Sequence, residues 1–543
     1  MRAPAILWYG SAHYAELELF MTPKRLSLLV VFYAIVVICT GGFSRIASAA
    51  QGVACRLPYD VMCAKPGGAH ADPDLVHDAA VDDATEQTML TAIARQMPAP
   101  GAPSIITLGK LEMFDKNLSF NGTVACVTCH APGAGFREGS SLLNATLVAH
   151  PGAVAIPAMH GDHPNNRLGP RYTMSYGYAP FRPVLHYDEQ RKDFVGGNFW
   201  DLRATGQQTG NPAADQAEGP PMNPVEMANS DTACVVYKLS QRPYRNLFER
   251  VWGANAFAIR WPSDVQSVCS KPGPAPQADP YPVHLSAADR RLSDTTFAHY
   301  AEAIAGYEAS PEVSAFSSKF DAVMAGKAKF TPQEQAGFAL FNGQALCITC
   351  HSDAANPSGT VKIGGTVIAS STKTIFADGR AENIGVPKNT DNPYLDENVP
   401  DQHGFVANPD GKAFSDTGVA GFLTDKTQNT NAQWAALAPQ YAGKFETPTL
   451  RNVAQAPRAG FTRAYMHNGV FHSLKEVVHF YNTRDVLPRC SLHAPGEGVT
   501  CWPAPEFPAT MNRTIGNLHL TDAQENDLVA FLETLTDGYT PTP

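Results

Sequence analysis

The chain has 543 residues and a net charge of −10, from 51 acidic against 41 basic side chains, a balance that argues against a nucleic-acid partner and permits a basic protein one. Its 44% hydrophobic content excludes a disordered chain, while 43 glycines and 43 prolines predict long irregular connections. At about 150 residues per domain, two large domains fit with room to spare.

From Met21 the sequence runs MTPKRLSLLVVFYAIVVICTGGFSRIASAA. Lys24 and Arg25, the apolar run from Leu26 and the A-x-A pattern at Ala47 to Ala49 read as a secretory signal peptide, with Met21 the true start. Its removal with residues 1–49 leaves 37 basic against 49 acidic side chains. A periplasmic protein is the expectation, with membrane contact only if the run stays uncleaved as an anchor. Residues 50–100 form an N-terminal extension. Of eleven cysteines, Cys39 leaves with the signal. Cys55, Cys63, Cys234, Cys269, Cys490 and Cys501 are an even set in an exported chain and predict up to three disulfides, nearest-neighbour pairing being the attractive choice and connectivity staying open.

The remaining four cysteines fall in CVTCH (Cys126, Cys129, His130) and CITCH (Cys347, Cys350, His351). In a helical turn, positions i, i+3 and i+4 share a face, so two thiols and an imidazole point at one object. A thioredoxin-like redox pair or half a zinc site leaves the histidine after each pair unexplained. Covalent attachment of a c-type haem explains it, with His130 and His351 as the iron ligands.

The flanks repeat too: LGKLEMFDKNLSFNGTVACVTCH (108–130) and AGFALFNGQALCITCH (336–351) both run from glycine through apolar residues and phenylalanine to the box. The helix from Leu285, LSAADRRLSDTTFAHYAEAIAGYE, either closes the first unit or bridges to the second. TPQE opens the second copy as a capping box, Thr331 with Glu334 after Pro332, and Thr521 with Gln524 opens a C-terminal helix expected to pack on the second box's helix. KPGPAPQADPYP (271–282) is a proline-rich loop. HSLKEVVHFYN (472–482) is an amphipathic helix with Leu474, Val477, Val478 and Tyr481 on one face, where a buried phenol needs a partner. Strand signals are scarce. The expected fold is mainly α and loop-rich, two cytochrome c-type domains each with one covalent haem, spanning 101–325 and 326–543.

On these boxes, together with FWDLRA (199–204), DQAEGPPMNPVEM (215–227), ETPTLRNV (446–453) and AYMHNGVFHSLKEVVHFYN (464–482), the mature chain resembles the bacterial dihaem cytochrome c peroxidase and MauG family. The resemblance implies a peroxide site at the first haem, with Glu226 as general acid/base, Gln216 as its polar helper and Pro220 beside them. A solvated loop residue is the bland alternative for Glu226. It implies that Trp200 relays charge between the haems, where otherwise a core aromatic would be expected. It places Tyr481 where ordinary peroxidases carry a methionine ligand to the second haem. A phenolate is hard and favours oxidised iron, a thioether is soft and raises the potential. Met466 is the rival ligand. His160 and His163 do not sit at the spacing of the family's distal histidine and read as surface residues. Tyr172 stands where the family has an asparagine that helps bind calcium, so an inter-domain calcium ion is left as an open and disfavoured expectation. Residues 364–440 form a long connection without an assigned role.

Two functions follow as expectations. One is a periplasmic enzyme using hydrogen peroxide as oxidant, reducing it with electrons from a small redox protein (a cytochrome c or cupredoxin) or oxidising aromatic side chains of a partner protein. The alternative is a dihaem electron-transfer cytochrome without chemistry of its own, in which both irons would be fully ligated.

Overall fold

The computed structural model describes residues 101–139, 141, 144, 167–273, 279–352, 359–401 and 403–541. The leader in which a signal peptide is expected, Cys55 and Cys63, His160 and His163, and the middle of the proline-rich loop lie outside the described residues. In chain order, the elements that position the site are α1 (Ala102–Phe114), α2 (Cys126–Cys129), β1 (His186–Asp188), β2 (Asp193–Val195), α3 (Pro212–Ala217), α4 (Ala287–Glu308), α5 (Pro332–Asn342), α6 (Val419–Thr424), α7 (Ala432–Ala435), α8 (Leu474–Thr483) and α9 (Asp522–Glu533). Among the described residues the strands form only two-stranded pairs, β1 with β2 for example in antiparallel register His186 to Val195.

The repeat in the sequence is a repeated helix crossing. α4 packs across α1 and α9 across α5. A Cβ at Gly109 of α1 would lie 1.9 Å from the Ala303 carbonyl oxygen, and one at Gly337 of α5 would lie 1.9 Å from that of Asp527. Each crossing therefore needs a residue with no side chain at its closest point. The Leu285 helix is thus the closing helix of the first unit, the counterpart of the C-terminal helix. Ser286, Thr331 and Thr521 cap α4, α5 and α9 through their hydroxyls, the last two as full capping boxes.

Each crossing sits on its own core. The first gathers Leu108, Leu111, Phe114, Phe248, Tyr300 and Ile304; the second gathers Phe341, Phe471, Val478, Trp502, Leu528 and Phe531. Full burial of one such side chain contributes roughly 1.5–3 kcal/mol. The connection 364–440 is not structureless. α6 with Ala438 and Tyr441 closes a third core over Phe194 of β2 and Leu202, so a segment that follows the second box packs on the first half of the molecule, just beyond Trp200. Among the described residues two disulfides form between sequence neighbours, Cys234 with Cys269 and Cys490 with Cys501.

Candidate active site

The first box is one helical turn, opened by the Ala125 N–H donating to the Thr128 hydroxyl at 3.0 Å. His130 Nδ1 pairs with the Phe136 carbonyl at 3.1 Å, which fixes the ring and leaves Nε2 to ligate. Burial drives this imidazole down to about 4, toward the neutral form that a metal ligand requires. Opposite stand Gln216, on a helix whose first turn is capped by the Asn211 side chain, and Glu226, in the turn that follows Pro224. A 40 Å³ cavity is lined by Cys126, Cys129, His130, Gln216, Pro220 and Glu226 together, and the space beyond it is about 640 Å³. The Asn223 amide donates to Glu226 Oε1. Burial raises the Glu226 carboxyl above its ordinary range, with the Arg203 charge and the Asn223 hydrogen bond offsetting part of that rise. A half-buried carboxyl with a raised pKa facing an enclosed space suits proton transfer better than the solvated-loop reading does.

The second box is a tighter 3-10 turn, Cys347–Thr349. His351 Nδ1 pairs with the Phe376 carbonyl at 3.0 Å, repeating the first site's arrangement. Its cavity is about 180 Å³, against the 640 Å³ space at the first site, and Cys347, Cys350, His351, Tyr481 and Met466 all line it. Ser473 caps α8, which delivers Tyr481 into this space. The phenol is pushed up by burial first and then by the thiols of Cys350 and Cys347 beside it. Among the described residues no hydrogen bond to its hydroxyl is found, and the phenol shares this space with both thiols of the box. Met466 stands in a loop at φ 73° and borders both cavities.

Trp200 also lines both cavities. Its indole N–H donates to the Tyr172 carbonyl at 2.9 Å, and its ring meets His467 edge-on at 6.5 Å. It is buried, as a core aromatic would be, but it is buried between the two sites.

The four box thiols are free of disulfides. With paired thiols, an oriented imidazole and an enclosed space at each box, the residues fit haem twice. Around Tyr172, where an inter-domain calcium ion was the open expectation, positive charge gathers. Tyr172 is buried beside the Arg137 guanidinium. Arg137 and Arg463 donate to the carbonyls of Asn452 and Ala454, and two guanidinium charges are poor company for a divalent cation. Among the described residues no cluster of three or more His, Cys, Asp or Glu could hold a metal ion.

Three contributors escaped sequence reasoning. Glu308, the last residue of α4, and Tyr176 line the first cavity, and a buried oxygen of each lacks a hydrogen-bond partner. Only the fold brings them there. His467 follows Met466 directly; it is buried, lines the second cavity, stacks on Phe445 at 3.5 Å, and its Nε2 is unpartnered. A histidine beside a candidate ligand was the available signal.

The paired boxes and the carboxyl-bearing pocket define a two-haem, peroxidase-like oxidoreductase. The family model for di-haem cytochrome c peroxidase matches residues 103–329. The methylamine utilization protein MauG of Paracoccus denitrificans is 31% identical over 447 residues, 81% of this chain and 90% of its own length. Cytochrome-c peroxidase IdrP1 of Denitromonas iodatirespirans is 26% identical over 437 residues, 79% of this chain and 81% of its own. The diheme peroxidase BthA from Burkholderia thailandensis E264 superposes with a TM-score of 0.53 at 26% identity, covering 81% of this chain and 87% of that one. The chain belongs to the di-haem cytochrome c peroxidase and MauG family.

Proposed function

We propose that this protein is a MauG-like enzyme of the periplasm that accepts hydrogen peroxide at its first haem and spends the resulting oxidising power on a protein partner. The partner is either a small redox protein that supplies electrons or a protein whose aromatic side chains are oxidised. The observation that carries this reading is the Glu226 carboxyl, raised by burial, sharing one small cavity with His130 and Gln216. The haems, when bound, supply iron for peroxide to bind and π-systems that hold oxidising equivalents.

The chain's own residues do the rest. Reducing peroxide to two waters takes two electrons and two protons. Glu226 takes a proton from one peroxide oxygen and returns it to the other, the leaving one. Gln216 offers an amide to orient the substrate, and Pro220 walls the pocket. Trp200, fixed by its bond to the Tyr172 carbonyl, offers an oxidisable indole between the cavities. Tyr481 would offer a second iron a hard oxygen ligand, which would favour its oxidised over its reduced state. The export signal from Met21 and the disulfides suit an oxidising compartment.

The test is titration of the ferric holoprotein with one equivalent of peroxide, in wild type and Tyr481→Phe. A long-lived two-haem oxidised species, lost in the variant, is expected. Turnover only after pre-reduction and indifferent to the substitution points to an ordinary peroxidase with Met466 as ligand, and inertness to peroxide in both redox states points to an electron carrier.

A further inference from the structure

The peroxide site makes no use of the third core, where residues 364–440 fold onto β2. Tyr441, 3% exposed, donates its hydroxyl to Asp193 Oδ1 at 2.7 Å. Asp193 is itself buried, and its Oδ2 lies 3.6 Å from Arg380 Nη1. Arg380 in turn donates to the Thr349 carbonyl at 3.3 Å, inside the second haem box, and pairs with Asp378, whose N–H donates to the Cys350 carbonyl at 3.0 Å. A polar chain thus runs from the second box to a buried phenol. On the far side, the Phe194 ring stands 5.1 Å from Tyr441 and 5.0 Å from Trp434, edge-on to both. Trp434, on α7, is only half-buried.

We propose that Tyr441 and Trp434 are the exit by which an oxidising equivalent leaves the second haem site for a protein electron donor outside the molecule. This rests on the function proposed above and gives residues 364–440 a part in it. The oxidant is hydrogen peroxide, whose reduction to two waters leaves the protein two electrons short. Tyr441 gives one electron toward the second site and its phenolic proton to Asp193, leaving a neutral radical beside a neutral carboxyl. Asp193 is needed because the Lys444 ammonium, 4.6 Å over the Tyr441 ring, opposes a phenol that keeps its proton and turns cationic. Trp434 then gives an electron through Phe194, and Tyr441 takes it together with the proton returned by Asp193. Trp434 releases its indole proton to water and is refilled by one electron from the partner and a proton from solvent. Two rounds discharge one peroxide.

The experiment treats the ferric holoprotein with peroxide in the absence of any donor, follows the haem bands and freeze-quenched radical signals, and maps oxygen addition along the chain by peptide mass spectrometry. Oxygen addition is expected at Trp434, falling about tenfold in Tyr441→Phe and in Asp193→Asn while the haem bands still respond. In Trp434→Phe the radical is expected to stay on Tyr441. Haem bands that respond while Trp434 stays unmodified, or a Trp434 yield unchanged in Tyr441→Phe, overturns this inference alone. Haem bands that never respond overturn the parent reading and this one with it.

Discussion

The two haem cavities are built on the same frame and covered differently. Both have a box behind a glycine-pinned helix crossing, and both tie the imidazole Nδ1 to a phenylalanine carbonyl, at 3.1 and 3.0 Å. Over the first, a short helix and the loops beside it bring polar groups, Gln216, Glu226 and Arg203, around a space of about 640 Å³. Over the second, the apolar face of α8 brings Leu474, Val477, Val478 and Tyr481 to a space of about 180 Å³. What holds each haem is duplicated; what stands above it is not. The two covers therefore differ in kind: polar groups around an open space over the first box, an apolar helix face carrying one phenol over the second.

The sharpest way to break that contrast is Glu226→Gln. General acid/base groups contribute roughly 10²–10⁴-fold, so stopped-flow peroxide consumption should slow by about that factor while the second haem's spectrum is untouched. A loss smaller than about tenfold would mean that the loop provides space and no proton chemistry. On the other side, Tyr481→Met should make the second site resemble an ordinary peroxidase. Its midpoint potential should rise by on the order of hundreds of millivolts, within the roughly 0.8 V that axial ligands span. Spectroelectrochemistry reads this, and an unmoved potential would take the phenol off the iron.

The cover also depends on a clamp between the two halves. Against the desolvation that burial imposes, the Arg171 guanidinium holds Asp416 down to about 2, with bonds of 2.7 and 2.8 Å from Nε and Nη2. Asp416 belongs to the long connection and Arg171 to the segment before Trp200. Because the folded-state pKa lies below the ordinary 3.8, the unfolded chain binds the extra proton, so this stability is fully present above about pH 4 and is lost as pH falls toward 2. Each pKa unit is about 1.4 kcal/mol, so about 2 kcal/mol is at stake. Denaturant midpoints across that window should lose this slope in Asp416→Asn.

How far the sequence revealed this follows from the range of each interaction. The boxes, the capping boxes at Thr331 and Thr521, the amphipathic helix bearing Tyr481 and the glycine-led repeat are local patterns, and each stands where the pattern put it. Gln216, Glu226 and Trp200 were placed by family resemblance, since nothing within ten residues of them marks a pocket, and the fold does bring Gln216 and Glu226 to His130. Residues 364–440 stayed unreadable because their apolar positions answer to partners some two hundred residues earlier, Phe194 and Leu202. Glu308 and Tyr176 were missed for the same reason: a buried polar side chain looks ordinary until its cavity exists.

The smallest expected effect separates the two crossings themselves. α1 begins at Gly101 with no side-chain cap, whereas Thr331 and Thr521 both cap in the second unit. An N-cap threonine changed to alanine costs about 1 kcal/mol, so Thr331→Ala and Thr521→Ala should each lower the second unit's stability by that amount, read by chemical denaturation. Glu334 closes the Thr331 box and also pairs with Lys319 Nζ at 2.6 Å, a half-buried contact. Glu334→Gln keeps the box's acceptor and loses the charge, so it should cost less than Thr331→Ala, within the 0–1 kcal/mol typical of such pairs. If Glu334→Gln proves the more damaging of the two, the second crossing is held at that end by the tether to Lys319 and the cap is secondary.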